Sequence, residues 1–221
     1  MKLKRLNVSW ASEKKAKRFI IAPRGPHKLQ YSLPLLVVVR DLLKIADTAL
    51  EAKKIITSKK VKVDGKICRD PKHGLGLFDS VQIGEQAYRV LPRAKKLVPI
   101  DNSEASQKIC QVIGKKAVRG GKIQISLHDG RNILFDKSNY KPLDSLLISV
   151  PDQKVKDHIP FKEGAAVYVR SGVHIAEVAL LKKIERENNR VWLEVGGKQF
   201  EAPLNGAVPL GTGKSLIKVD Q

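Results

Sequence analysis

The sequence is poor in sulfur, in aromatic rings and in acids. Of 221 residues, two are cysteine and one is methionine, and Phe, Trp and Tyr together make up 5%. Cys68 and Cys110 stand 42 positions apart, a spacing that fits no zinc motif, so two reduced, partly buried thiols are expected. The five histidines, His27, His73, His128, His158 and His174, are scattered. No two have the spacing that puts a pair of ligands on one helix face, and no metal or cofactor is expected. Long apolar runs are missing as well. The densest stretch, Leu33 to Val39, is short and contains Pro34, which argues against a membrane span. Lys2, Lys4 and Arg5 are followed by no apolar segment of the secretory kind, and Asn7-Val8-Ser9 is a glycosylation sequon in form only.

What the chain has in excess is positive charge. Lys and Arg number 42 against 22 Asp and Glu, a formal net charge of +20. The excess is uneven. Residues 1–100 hold 23 cations and 8 acids, a balance of +15, whereas residues 101–221 hold 19 and 14, a balance of +5. Solubility does not require +15, and self-repulsion of that size opposes folding. A polyanion is the simplest offset, with nucleic acid ahead of an anionic membrane surface. Hydrophobic residues, at 42%, are numerous enough for real cores.

The patterning divides the chain into four. Residues 1–33 read as a basic, extended arm. It carries Lys14, Lys15, Lys17 and Arg18, then Pro23-Arg24-Gly25-Pro26-His27-Lys28, where two prolines forbid a helix. Trp10, Phe19, Ile20 and Ile21 are its anchors, and its removal is expected to leave a folded protein. Residues 34–92 read as two helices and a small sheet. Leu35, Val39, Leu42 and Ala46 recur at helical spacing, which predicts a helix over 35–46 with Arg40 and Lys44 on one face. Thr48-Ala49-Leu50-Glu51 is a capping box opening a second helix to about Thr57, with Lys53 and Lys54 on its polar side. Val61 and Val63 alternate with Lys60 and Lys62, Asp64-Gly65 is a hairpin turn, and 71–76 reads as a loop. Residues 93–100 form a basic connector leading a central β domain over 93–160. Residues 161–221 read as a small β barrel or sheet, with a hairpin at Gly196-Gly197. The class is α+β, multidomain.

Catalytic patterns fail one by one. Gly211-Thr212-Gly213-Lys214-Ser215 resembles the end of a phosphate-binding loop, but Val208 stands where the first glycine is needed. Gly74 and Gly76 lack the rest of a dinucleotide fingerprint. His128-Asp129-Gly130-Arg131 reads more simply as a hairpin turn with polar flanks. No catalytic residue and no small-molecule substrate are assigned.

The cations are more informative. Lys53, Lys54, Lys59, Lys60, Lys62, Lys66, Arg69 and Lys72 fall on consecutive elements, and Arg40 and Lys44 extend the set. With Lys2, Lys4, Arg5, Lys14, Lys15, Lys17, Arg18, Arg24, His27 and Lys28 of the arm, they are the expected RNA-binding residues. Few aromatic platforms accompany them, so recognition of backbone and shape in structured RNA is expected, not base-by-base reading.

These strings also carry a resemblance. Leu3-Lys4-Arg5, Gly25-Pro26-His27-Lys28-Leu29, Leu33-Pro34-Leu35, Lys53-Lys54-Ile55, Lys62-Val63-Asp64-Gly65-Lys66 and His128-Asp129-Gly130-Arg131 stand in an order similar to the small-subunit ribosomal protein four-e family of archaea and eukaryotes. The resemblance implies an S-four RNA-binding domain over about 34–91, a central β domain of the family's own, and a C-terminal KOW-like, SH3-type barrel. It also implies a non-enzymatic, cytoplasmic ribosome component whose partners are small-subunit ribosomal RNA and neighbouring small-subunit proteins. The pattern of such barrels favours glycine where Ala176 and Ala179 stand, so the turn there is either rebuilt or weakened as an RNA contact. Two other readings carry less: an RNA-modifying enzyme, for which the residues after 92 leave little room, and a transcription-elongation factor, which the basic first half fits poorly.

Overall fold

A computed structural model describes residues 21–91, 97–172 and 174–219. Lys2, Lys4, Arg5, Lys14, Lys15, Lys17 and Arg18, with Trp10, Phe19 and Ile20, lie outside the described residues. The chain divides into two units. One comprises the described residues up to Lys108 together with Val150–Asp152; the other comprises Ile109–Ser149 and the chain from Gln153 onward.

The first unit runs through β1 (Leu33–Pro34), α1 (Leu35–Val37) continued by a π-type turn over Val38–Leu42, and α2 (Ala49–Thr57). Then come β2 (Val61–Val63), β3 (Lys66–Ile67), β4 (Gly74–Leu75), β5 (Ser80–Ile83), β6 (Gln86–Arg89), β7 (Val98–Ile100) and α3 (Asn102–Ala105). Its main sheet is antiparallel in the order β3-β2-β5-β6-β7, and β1 pairs separately with β4. Leu35, Val38 and Val39 from the first helix, Ala52 and Ile56 from α2, and Val61 and Val81 from the sheet share one core. Alternation along β2 buries Val61 and Val63 and turns Lys62 outward. The Asp64-Gly65 turn is as expected, with φ of +47° and +74°.

Three local features differ from the sequence pattern. The first helix stops early. The Leu43 N–H donates to the Val38 carbonyl at 2.9 Å, one residue further back than in an α-helix, and Lys44 has φ +52°. Val37-Val38-Val39 supplies the reason: three β-branched residues in succession crowd a tight helix. Residues 98–100, expected in a connector, complete the sheet as β7. The end of the arm is part of the fold: Leu33 is buried, Arg24 N–H donates to Lys72 O at 2.7 Å, and Gly74 N–H donates to Arg24 O at 2.6 Å. Removing residues 1–33 therefore strips core and hydrogen bonds, contrary to expectation.

The second unit carries two antiparallel sheets. The first comprises β8 (Gln107–Ala117), which starts in the other unit, β9 (Ile123–Leu127), β10 (Asn132–Phe135), β11 (Ser145–Ser149) and β12 (Val155–Ile159), in the order β10-β9-β8-β11-β12. β12 was legible only as a link between Pro151 and Pro160. The second sheet, in the order β16-β15-β14-β13-β17, comprises β13 (Ala165–Val169), β14 (Val178–Glu185), β15 (Arg190–Val195), β16 (Lys198–Pro203) and β17 (Ala207–Thr212). Each sheet has its own core, one around Ile125, Leu146 and Ile148, the other around Val167, Leu181 and Leu193. Gln111 Nε2 donates to Ala207 O at 3.0 Å and ties them together. The Gly196-Gly197 hairpin joins β15 to β16 as expected, both glycines having positive φ.

Ala176 adopts φ +76°, and its N–H donates to Val169 O at 2.7 Å. The turn is thus kept in its left-handed form with alanine in place; Ala179 is an ordinary buried strand residue. Relief of about 1–2 kcal/mol of left-handed strain outweighs the roughly 0.5–1 kcal/mol that glycine adds in unfolded-chain entropy. Ala176→Gly is expected to stabilise the second unit by about 0.5–1 kcal/mol in urea unfolding; a lower midpoint would contradict the strained turn.

Candidate nucleic-acid interface

The cations of the first unit are positioned by ordinary local rules. Thr48 Oγ accepts the Glu51 N–H at 3.2 Å, and the Glu51 carboxylate accepts the Asp47 and Thr48 N–H groups at 3.1 and 3.4 Å. This fixes the start of α2 and thereby its rotation, with Ala52 and Ile56 inward and Lys53 and Lys54 outward. After the cap at Ser58, Lys59 turns the chain with φ +66°, and Lys60 leads into β2. Lys62 stands opposite Ile67 on β3 and Gln82 on β5, all on the face away from Val61 and Val63. Lys66 and Arg69 follow, both exposed. Lys72 is half-buried beside its backbone bond to Arg24.

Among the described residues, none of Lys53, Lys54, Lys59, Lys60, Lys62, Lys66, Arg69 and Lys72 makes a salt bridge. The C-terminal dipole of α2 accounts for part of this charge, since cations there gain about 0.3–1 kcal/mol each. It does not account for Lys62, Lys66 or Arg69 on the strands. The last sheet of the second unit is organised differently. There Lys182 pairs with Glu194 at 2.6 Å, Lys183 with Glu185 at 3.0 Å, and Arg190 with Glu201.

Three expected binding residues are placed otherwise. Arg40 and Lys44 share no helical face, because the helix ends between them. The Arg40 guanidinium is held by the Asp41 carboxylate at 2.7 and 2.8 Å, a hydrogen-bonded pair that raises the Arg40 pKa. His27 is buried, its side chain only 7% exposed, with Nε2 at 2.9 Å from Asp79 Oδ2. Gly76 makes room for it: a Cβ there would lie 2.2 Å from the imidazole. His27 fastens the end of the arm to the fold. Arg24 and Lys28 remain exposed.

His27 belongs to a buried network with no local sequence signal. Lys108 Nζ lies 2.9 Å from Asp64 Oδ2 and 2.5 Å from Asp79 Oδ1, with all three side chains almost wholly enclosed. The remaining Asp64 oxygen accepts the Ser80 N–H at 3.0 Å, and Asp79 Oδ2 also accepts the Gly76 N–H at 2.8 Å. Burial alone pushes the Asp79 carboxyl up. The charges of Lys108 and His27, the His27 hydrogen bond and the Gly76 N–H together outweigh it and hold the group well below the usual carboxylate range. Arg89, also fully buried, donates to the Glu104 and Gln107 carbonyls at 2.8 and 3.2 Å.

The other motifs resolve as structure. Asp129 Oδ1 accepts the Arg131 N–H at 3.1 Å and Oδ2 lies 3.2 Å from Arg131 Nε, which closes the 128–131 turn. Cys68 and Cys110 are free thiols, half-buried and buried, and burial pushes the Cys68 thiol up. The described residues include no cluster of three or more metal-ligating side chains, and no helix long and apolar enough to cross a membrane.

Lys108→Ala leaves two buried carboxylates without their cation and is expected to destabilise the first unit by about 3–5 kcal/mol. The depressed Asp79 pKa adds a pH signature. Its contribution is fully present above the unfolded-state carboxylate pKa near 4 and is lost as pH falls through the lower folded value. Unfolding titrations from pH 7 to pH 2 should show a steeper acid loss in the parent chain than in Lys108→Ala; parallel curves would contradict the network.

Comparison with known proteins agrees with this architecture. Residues 33–81 match the model of the S4 domain, and residues 84–155 match that of Ribosomal family S4e. The chain is 40% identical over 237 residues to the small ribosomal subunit protein eS4 of Methanocaldococcus jannaschii, covering 98% of this chain and 96% of that one. It is 36% identical over 241 residues to that of Ignicoccus hospitalis, covering 99% and 94%. The crystal structure of the 30S ribosomal protein S4e from Thermoplasma acidophilum superposes with a TM-score of 0.74 at 32% identity, over 85% of this chain and 99% of that one. Near-full-length identity at this level, together with the shared fold, makes this chain a member of Ribosomal family S4e.

Proposed function

We propose that the chain is a structural constituent of the small ribosomal subunit, where it binds and stabilises folded small-subunit ribosomal RNA beside neighbouring ribosomal proteins. It is not an enzyme, in keeping with its family. The observation that carries the reading is the row of exposed cations on α2, β2 and β3 that make no salt bridge among the described residues. Lys53, Lys54, Lys59, Lys60, Lys62, Lys66 and Arg69 are the proposed phosphate contacts, joined by Arg24, Lys28 and the basic residues before position 21. Each bound phosphate releases condensed counterions, and that release supplies the affinity. Apolar inner faces hold α2 and β2 rigid, so the ammonium groups form a shape-reading surface for an A-form backbone.

In the same reading, residues 161–221 are a KOW-like module of SH3 type, a reading supported by five short antiparallel strands in the order β16-β15-β14-β13-β17. The working place is the cytoplasmic ribosome.

With about six to ten phosphates neutralised, affinity for ribosomal RNA is expected to fall about 10³- to 10⁵-fold between 50 and 200 mM salt. Changing Lys53, Lys54, Lys60 and Lys62 together to Ala should shrink that fall by about a hundredfold, at slopes of roughly 0.7–0.9 per phosphate, without changing thermal stability. Filter binding with a small-subunit RNA transcript measures both; wild-type slope in the quadruple variant would remove this surface from the interface.

A further inference from the structure

The second unit contains cations that its own acids do not neutralise. A cleft of about 360 Å³ is lined by Lys141, Lys162 and Arg186 together with Asp144 and His158. Among the described residues, none of the three cations makes a salt bridge, whereas Lys182 and Lys183 nearby in sequence do. Three different loops supply them: Lys141 precedes β11, Lys162 lies between β12 and β13, and Arg186 begins the β14–β15 turn. The one acid in the wall is already occupied. Asp144 is buried, with Oδ1 accepting the Phe161 N–H at 2.9 Å and Oδ2 accepting the Lys141 N–H at 2.9 Å. His158 Nε2 also lies 2.9 Å from Oδ2. The Asp144 carboxylate thus joins its own loop at Lys141 to β12 at His158 and to the β12–β13 loop at Phe161, and each of its oxygens already has a partner.

The positive surface continues past His158. That residue also lines a second cleft of about 600 Å³, where Lys154 and Lys156 stand beside Phe135, Tyr140 and one acid, Asp157, whose Oδ1 accepts the His158 N–H at 2.8 Å. Lys154 and Lys156 likewise make no salt bridge among the described residues. The rings of Phe135, Tyr140 and His158 pack in series, at centroid separations of 5.2 and 4.9 Å; all three line the second cleft, and His158 is shared with the first. Five cations spread over two adjoining clefts exceed what one small anion needs. They match a chain of phosphates.

We infer that the second unit binds RNA backbone through these two clefts, as a second interface separate from the cations of α2, β2 and β3. The inference rests on the proposed RNA-binding function and extends it to the half of the chain with the smaller charge excess. Lys141, Lys162 and Arg186 receive phosphates in the first cleft, and Lys154 and Lys156 receive the continuing strand.

The test uses the full chain and a small-subunit ribosomal RNA transcript. Lys141→Ala, Lys162→Ala and Arg186→Ala are combined in one variant, with Lys182→Ala, Lys183→Ala and Arg190→Ala combined as a charge-matched control whose cations are already paired. The cleft variant should lose about 20- to 40-fold of the affinity change between 50 and 200 mM salt, at roughly 0.7–0.9 per phosphate, with an unaltered melting curve. The control should bind like the parent. A parental salt slope in the cleft variant, with RNA binding otherwise intact, overturns the inference and leaves the proposed function standing. Equal losses in cleft variant and control also overturn it, since unspecific charge then suffices. If inorganic phosphate at matched ionic strength binds the parent but not the cleft variant and leaves RNA binding unchanged, the site belongs to a free anion and the RNA assignment falls. Failure of the parent chain to bind RNA at all would defeat the proposed function itself.

Discussion

One ammonium group holds the first unit in register. Lys108 sits between Asp64, in the β2–β3 turn, and Asp79, just before β5. His27, from the end of the arm, completes the same cluster through Asp79. Four separate stretches of chain are thereby tied at one buried point. The turn that carries Asp64 also carries the flanking Lys62 and Lys66, so an enclosed ion cluster orients exposed charges of the same sign as its own cation. Two carboxylates facing one ammonium and one imidazole leave every charge with a partner, the condition under which buried ions are tolerated.

The two units handle charge in opposite ways. In the first, Lys108 is enclosed and paired with two carboxylates, whereas the exposed lysines of α2, β2 and β3 make no salt bridge among the described residues. In the last sheet of the second, Lys182 and Arg190 are matched across strands by Glu194 and Glu201, and Lys183 along its own strand by Glu185. Exposed pairs of that kind add little stability, about 0–1 kcal/mol, but they cancel the field that would attract phosphate. The unmatched lysines of α2, β2 and β3 keep that field. Net charge per half of the chain therefore reports less about binding than the pairing of individual side chains does.

Much of the fold was legible in the sequence, and the parts that were not share a cause. The Thr48–Glu51 capping box, the Val61–Val63 alternation, the Asp64-Gly65 turn and the Gly196-Gly197 hairpin are decided by neighbours within a few positions. The early end of the first helix was overlooked because apolar spacing outweighed the crowding of Val37-Val38-Val39. β12 was hidden between prolines, with exposed polar residues on an edge strand and no strong alternation. The Lys108 cluster could not be read at all: its partners are 44 and 29 positions away, and Asp64 looked complete as a turn residue. His27 was misassigned for the same reason. A basic, proline-flanked context suggests a phosphate contact, whereas the pocket opened by Gly76 and the Asp79 carboxylate exist only once the chain is folded. The outward placement of Lys62 between Val61 and Val63 was legible because that alternation is local.

The order of the cluster along the chain sets the order of events during synthesis. Asp64 and Asp79 leave the ribosomal exit tunnel well before Lys108, and the same unit also includes Val150–Asp152, where Val150 N–H donates to Ser106 O at 2.9 Å. A nascent chain that has emerged only as far as β6 must keep both carboxylates hydrated. The helices and the β2–β3 hairpin rest on local contacts, but the unit's last contacts, through Val150–Asp152, are available only after Ile109–Ser149 of its neighbour has been translated. An S4 domain cut at residue 81 or 92 would thus be released without its fastening.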